Sequence, residues 1–170
     1  MNHVKPIVPF LLCLCLVANS LAADTWVLRE DGIGPVKIGM SLSQLNAVLQ
    51  EKFSKPTEEW ESQECFYVKP SRHPHITFMI EDGRVSRVDV DGAVVATSLG
   101  IRVGDAEARA LKIYGSALKI DSHKYIESGH YLTIQSSSGR YGIRFETDQG
   151  RITTFYGGLY SAIQYVEGCQ

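Results

Sequence analysis

The spacing of apolar positions changes in a fixed order along the chain, and the order occurs twice. Val36 and Ile38 flank Lys37 as a short strand, and Leu42, Leu45, Val48, Leu49 and Phe53 follow at helical spacing. Ser41 stands at the N-cap position, with Gln44 three residues on to complete a capping box. Pro56 cannot continue that helix. Cys65–Val68 reads as a strand. Ile76, Phe78 and Ile80 alternate with Thr77, Met79 and Glu81, which predicts a half-buried strand. Asp82-Gly83 is a hairpin turn, with Val85, Val88 and Val90 on the return.

The second pass starts at Ile101-Arg102-Val103-Gly104. Asp105 is the expected N-cap, Ala106, Ala110, Ile113 and Tyr114 share one face, and Gly115 is placed to end the helix. Strands are predicted at 117–121, 131–135, 141–146 and 151–156, with a last short one at 163–166. Trp26–Leu28 and Ala93–Ala96 are candidate minor strands. Gly39 and Gly104 stand 65 positions apart, and Gly83 and Gly150 stand 67 apart. The predicted fold is α+β: two tandem repeats, residues 24–98 and 99–170, each a helix packed on a three- to four-stranded antiparallel sheet.

The remaining apolar run, Ile7–Val17, precedes both units. Lys5 is the only charge in the first 23 residues, and Ser20-Leu21-Ala22 offers small residues for cleavage. This predicts a signal peptide over 1–22 and a periplasmic or secreted protein. The run is too short for a membrane span, so no stable membrane insertion is expected. Leu12 and Leu14 precede Cys13 and Cys15, which argues against a lipid-anchored cysteine.

The 17 basic and 19 acidic residues give a net charge of −2, which becomes −3 once Lys5 is removed. That is too near neutral to point to nucleic acid. Cys65 and Cys169 remain after cleavage, one per repeat. An exported chain most simply pairs them, closing a loop of roughly 100 residues worth about 4–5 kcal/mol in the chain-entropy model. Two free thiols are the alternative.

The opening Ile38-Gly39-Met40-Ser41-Leu42-Ser43-Gln44-Leu45, repeated in plan ahead of antiparallel strands, resembles the tandem repeat of the secreted β-lactamase inhibitor proteins. A related Gly-Met-Ser/Thr opening occurs in small outer-membrane assembly lipoproteins. The resemblance covers roughly residues 33–168 and is specific only at the helix openings. The second copy has Gly104-Asp105 in place of Gly-Met, and the inhibitors have a disulfide within each repeat where this chain has one cysteine per repeat. The resemblance therefore implies architecture and no binding residues. The chain also looks like small exported bacterial proteins sharing Gly32-Ile33-Gly34-Pro35, His123-Lys124-Tyr125…Gly129-His130-Tyr131 and Val166-Glu167-Gly168-Cys169.

No Gly-x-Ser-x-Gly elbow, His-Glu-x-x-His or phosphate-cradling loop is present, so an enzyme is not expected and no cofactor is implied. Triads are assembled in space, so this excludes sequence-local motifs alone. His73-Pro74-His75, His123 and His130 lack the ligand spacing of a zinc motif.

The residues best suited to recognition are His123, Lys124, Tyr125, His130 and Tyr131 around a hairpin, with Tyr141 and Tyr156 on neighbouring strands. Trp60, among Glu58, Glu59, Glu61 and Glu64, is the candidate in the first unit. Tyr and Trp combine large contact area with a hydrogen bond. Cover for the sheet core is the other use of these tyrosines. The expectation is an exported protein-binding module, of inhibitor or immunity type, acting on an envelope or secreted enzyme. A glycan- or peptidoglycan-fragment-binding module and an envelope assembly factor are the alternatives.

Overall fold

The computed structural model describes residues 26–58 and 62–169. The expected signal peptide and Trp60 lie outside them. In chain order the elements are β1 (Val27–Arg29), β2 (Gly32–Ile33), β3 (Val36–Lys37), α1 (Leu42–Leu49), β4 (Cys65–Val68), β5 (Ile76–Glu81), β6 (Arg84–Val90) and β7 (Ala96–Thr97). Then come α2 (Glu107–Tyr114), β8 (Lys119–Ser122), β9 (His130–Gln135), β10 (Tyr141–Asp148) and β11 (Arg151–Leu159). Single 3-10 turns occupy Gly115–Ala117 and Ala162–Gln164.

These elements overturn the expected pair of helix-on-sheet units. Among the described residues the fold is mostly β, with one sheet of four strands (β3-β2-β1-β7), another of seven (β4-β5-β6-β11-β10-β9-β8), and two helices of eight residues. The strands of the two halves merge, because β6 pairs antiparallel with β11 from Val90 opposite Phe155 to Arg87 opposite Gly158. Pairing these two strands leaves neither as an open edge, which separate units would have done. The first helix also stops short of its apolar stripe. Gln50 adopts a left-handed conformation, and both polar ends of the Asn46 side chain bind the Phe53 backbone at 2.9 Å. Residues 163–166, expected as a strand, instead hold part of the 3-10 turn.

What does repeat is local. In the first copy Gly39 N–H donates to Val85 O at 2.7 Å, Val85 N–H to Met40 O at 2.9 Å, and Leu42 N–H to Gly83 O at 3.0 Å. In the second, Gly104 N–H donates to Ile152 O at 2.8 Å, Ile152 N–H to Asp105 O at 2.9 Å, and Glu107 N–H to Gly150 O at 2.8 Å. Arg84 Nη1 donates to Gly39 O and Arg151 Nη1 to Gly104 O, both at 3.0 Å. Each hairpin turn thus takes up one helix-opening N–H group that has no partner within the helix. Asp82-Gly83 and Gln149-Gly150 both have positive φ at the two central positions, the geometry that suits a two-residue hairpin. The Ser41 capping box forms as expected. In the second copy Ala106, not Asp105, is the N-cap. The Asp105 carboxylate accepts from Arg102 N–H at 2.9 Å and from Arg109.

One face of the large sheet is apolar. Phe78, Val88, Val90, Leu132, Phe145 and Phe155 are fully buried there, in a core shared with Leu28, Leu45 and Ala110. Period-two alternation puts the intervening residues on the opposite face.

Candidate functional site

The opposite face carries a row of charged and aromatic side chains. The pairings Tyr156–Asp89, Arg144–Tyr156, Arg144–Thr133 and Glu146–Tyr131 run across β6, β11, β10 and β9. Arg87 Nε lies 2.9 Å from Asp89 Oδ1, Arg87 Nη2 donates to the Tyr67 hydroxyl at 3.0 Å, and the guanidinium sits 4.5 Å over the Tyr156 ring. The Tyr156 hydroxyl donates to Glu146 Oε1 at 3.0 Å, and His123 Nε2 is 3.3 Å from Glu146 Oε2. His123 stacks on Tyr131 at 4.4 Å, with Arg144 at 5.1 Å from the same ring. Arg144 Nε donates to Thr133 Oγ1 at 2.9 Å.

Burial sets the electrostatics of this row. It pushes the Asp89 carboxyl up to about 6, against the lowering effect of Arg87. It also raises the Tyr67 hydroxyl and pushes that of Tyr156 well above the ordinary phenol range. Burial opposes the charge on Arg87, but Asp89, Tyr67 and Tyr156 together outweigh it and hold the guanidinium charged.

The row is roofed by the chain's own C-terminal segment. Ala162 and Ile163 are fully buried. Arg87 Nη1 donates to Ala162 O at 3.1 Å and to Tyr165 O at 3.2 Å, while Arg144 reaches the Gln164 side-chain oxygen. Glu167 accepts from Lys124 Nζ at 3.1 Å and from the Tyr125 hydroxyl. Gly168 has φ +72°, a conformation that favours glycine, and a Cβ there would press on the Tyr67 hydroxyl at 2.1 Å. Cys65 of β4 is bonded to Cys169, with Cα atoms 5.3 Å apart, as expected from the cysteine count.

Of the residues singled out from sequence, His123, Lys124, Tyr125 and Tyr131 come together at the β8–β9 loop. His123 and Tyr131 are buried there, whereas Lys124 and Tyr125 are exposed. His130 turns away, toward Glu107 of α2 at 3.1 Å. Tyr141 is remote, at the far end of β10 beside Arg140. Sequence reasoning missed Arg87, Asp89, Arg144, Glu146 and Glu167. In Val85–Val90 the polar alternation reads as a solvated face, because nothing local shows that a distant segment covers it. The one available signal was Cys169, whose bond to β4 brings the tail back across the sheet.

Comparison with family models, with curated proteins and with solved structures finds no match. Among the described residues no helix is long and apolar enough to cross a membrane.

Proposed function

We propose that the protein is exported under a signal peptide at residues 1–22 and binds another protein through the rim formed by the β8–β9 loop and residues 165–168. The observation that carries this reading is Tyr125, an aromatic side chain both 61% exposed and pinned in place. Its hydroxyl donates to Glu167, its N–H to His123 Nδ1 at 3.1 Å, and Lys124 Nζ lies 5.1 Å over its ring. An exposed tyrosine ordered before contact loses little side-chain entropy on binding, which is the property of an interface hot spot. Beside it opens a cleft of about 430 Å³ lined by Lys124, Tyr165, Val166, Glu167 and Gly168. The Cys65–Cys169 disulfide fits an oxidising compartment outside the cytosol. Steric occlusion of an envelope or secreted enzyme is the form of binding we favour, by analogy of the helix openings with the β-lactamase inhibitor proteins.

The test is affinity capture with the oxidised protein from envelope and culture extracts of its source. One stoichiometric enzyme should be retained, lost on Tyr125→Ala and on Lys124→Glu, and the captured enzyme's activity should fall as the protein is added back. Capture that is unaffected by both substitutions, or no partner under any growth condition, refutes the reading.

A further inference from the structure

We propose that the edge strand β8 joins two copies of this chain, paired antiparallel about a two-fold axis at Ile120. The pairing uses residues 118–122 and none of the rim at Tyr125, so it goes beyond the reading of that rim and stands or falls separately.

β8 ends the seven-stranded sheet and has a neighbour, β9, on one side alone. Two hydrogen bonds fix which way its main-chain groups point. His123, one step past the last paired residues Ser122 and His130, donates its N–H to Gly129 O at 3.0 Å. His130 N–H turns the other way, to Thr147 Oγ1 of β10 at 2.9 Å. Ladder bonds alternate along an antiparallel pair, so Lys119 and Asp121 bond toward β9, while the N–H and C=O of Ile120 and Ser122 point outward. Among the described residues no main-chain group from outside the sheet bonds to them. Such an edge is a template for a further strand.

The side chains select which strand. Ile120 lies opposite the fully buried Leu132 on the apolar face, yet it is 51% exposed at the sheet's end. Lys119 and Asp121 stand on the polar face, with Nζ 3.0 Å from Oδ2. In an antiparallel pair centred on Ile120, Lys119 of each copy faces Asp121 of the other. The two Ile120 residues face each other, exchange both main-chain hydrogen bonds and cover each other's exposed side chains. Ser122 N–H of each copy meets the carbonyl of Leu118, itself extended at φ −80° and ψ 123°, on the other. Moving the axis one residue either way sets Lys119 against Lys119 or Asp121 against Asp121, which is destabilising. The charges thus favour one register, and it is self-complementary, as an isologous contact requires. β8 has four residues, so the contact is small and the dimer weak.

The oxidised full chain is followed by sedimentation velocity from about 1 µM to about 1 mM, with hydrogen exchange read at both ends of the series. A monomer–dimer midpoint on the order of 100 µM is expected. At the high end about one chain in five is then still monomeric, so exchange at the Ile120 and Ser122 amides should slow about fivefold. The Lys119 and Asp121 amides, already bonded to β9, should not change. Lys119→Asp and Asp121→Lys each set like charges face to face at both positions, and each alone should weaken association at least about tenfold. An equimolar mixture of the two variants restores opposite charges at both positions and should associate as the wild type does.

A wild type that stays monomeric to about 1 mM overturns the proposal. Association without slowed exchange at Ile120 also overturns it, because the contact then lies elsewhere. So does association of either single variant at wild-type strength, or a mixture that recovers nothing. If a charge variant does not fold, the wild-type series alone decides, by its midpoint and by the exchange at Ile120 and Ser122.

Discussion

Replacing both cysteines, Cys65→Ser with Cys169→Ser, should destabilise the protein by about 4.7 kcal/mol. The bridge joins residues 104 apart in sequence, and closing a loop of that length in the unfolded chain costs about 16 cal/mol/K of entropy. For about 145 folding residues the unfolding entropy near the midpoint is about 0.3 kcal/mol/K, so Tm should fall by roughly 15 °C. Urea unfolding of the oxidised wild type and the double variant, followed by circular dichroism in the β region, measures the difference directly. The urea dependence should also steepen in the variant, because the uncrosslinked chain exposes more surface when unfolded. A loss below about 1.5 kcal/mol with unchanged steepness would refute the reasoning. It would mean that the unfolded chain already keeps β4 close to residue 169, or that the bond carries native strain cancelling its entropic effect.

The Asp89 carboxyl has a higher pKa folded than unfolded, so folding favours its protonated form. Its contribution is full below about pH 4 and is lost as pH rises through about 6, a fall of about 2–3 kcal/mol. Stability measured by urea titration across this window should decline in the wild type and stay flatter in Asp89→Asn; equal slopes would contradict the assignment. Arg84→Ala and Arg151→Ala each remove one hydrogen bond to a helix-opening carbonyl, at 3.0 Å in both copies. Each should cost about 1 kcal/mol, and the pair should add, since the two sites share no partner. Ser41→Ala breaks the capping box and should cost about 1 kcal/mol, whereas Ala106→Ser at the second helix should cost nothing and is open to gain. Thermal melts of the four single variants and of the Arg84→Ala, Arg151→Ala double variant decide this.

Local chemistry was largely legible in the sequence. Ser41 with Gln44, the Asp82-Gly83 turn, and the alternation of Ile76, Phe78 and Ile80 each specify their element within a few residues, and the structure follows. The pairing of cysteines followed from their number and setting. The join of β6 to β11 was not legible, because Val88, Val90 and Phe155 have the same alternation in a separate sheet as in a merged one. The polar face was hidden for a related reason. Arg87 occupies a position that normally meets water, and the distant Ala162 and Tyr165 carbonyls, with Tyr67 and Tyr156, meet it instead. Of the aromatic group His123, Tyr125, His130, Tyr131 and Tyr141, the structure brings the first two and Tyr131 together, and spacing alone could not tell that His123 and Tyr131 lie inside.

The position of the disulfide also bears on how the molecule is made. Cys65 must wait for 104 further residues before its partner exists. At about 5–20 residues per second of synthesis that is roughly 5–20 s with an unpaired thiol. All of β5 to β11 emerges in that interval, so the sheet can assemble before the bond closes. Closure of the bond on an already assembled sheet is the expected order. During the wait the thiol is open to exchange with any disulfide it meets. Pulse-labelled chains stopped by alkylation within the first seconds should therefore carry Cys65 reduced or in a mixed disulfide, with the Cys65–Cys169 form following later.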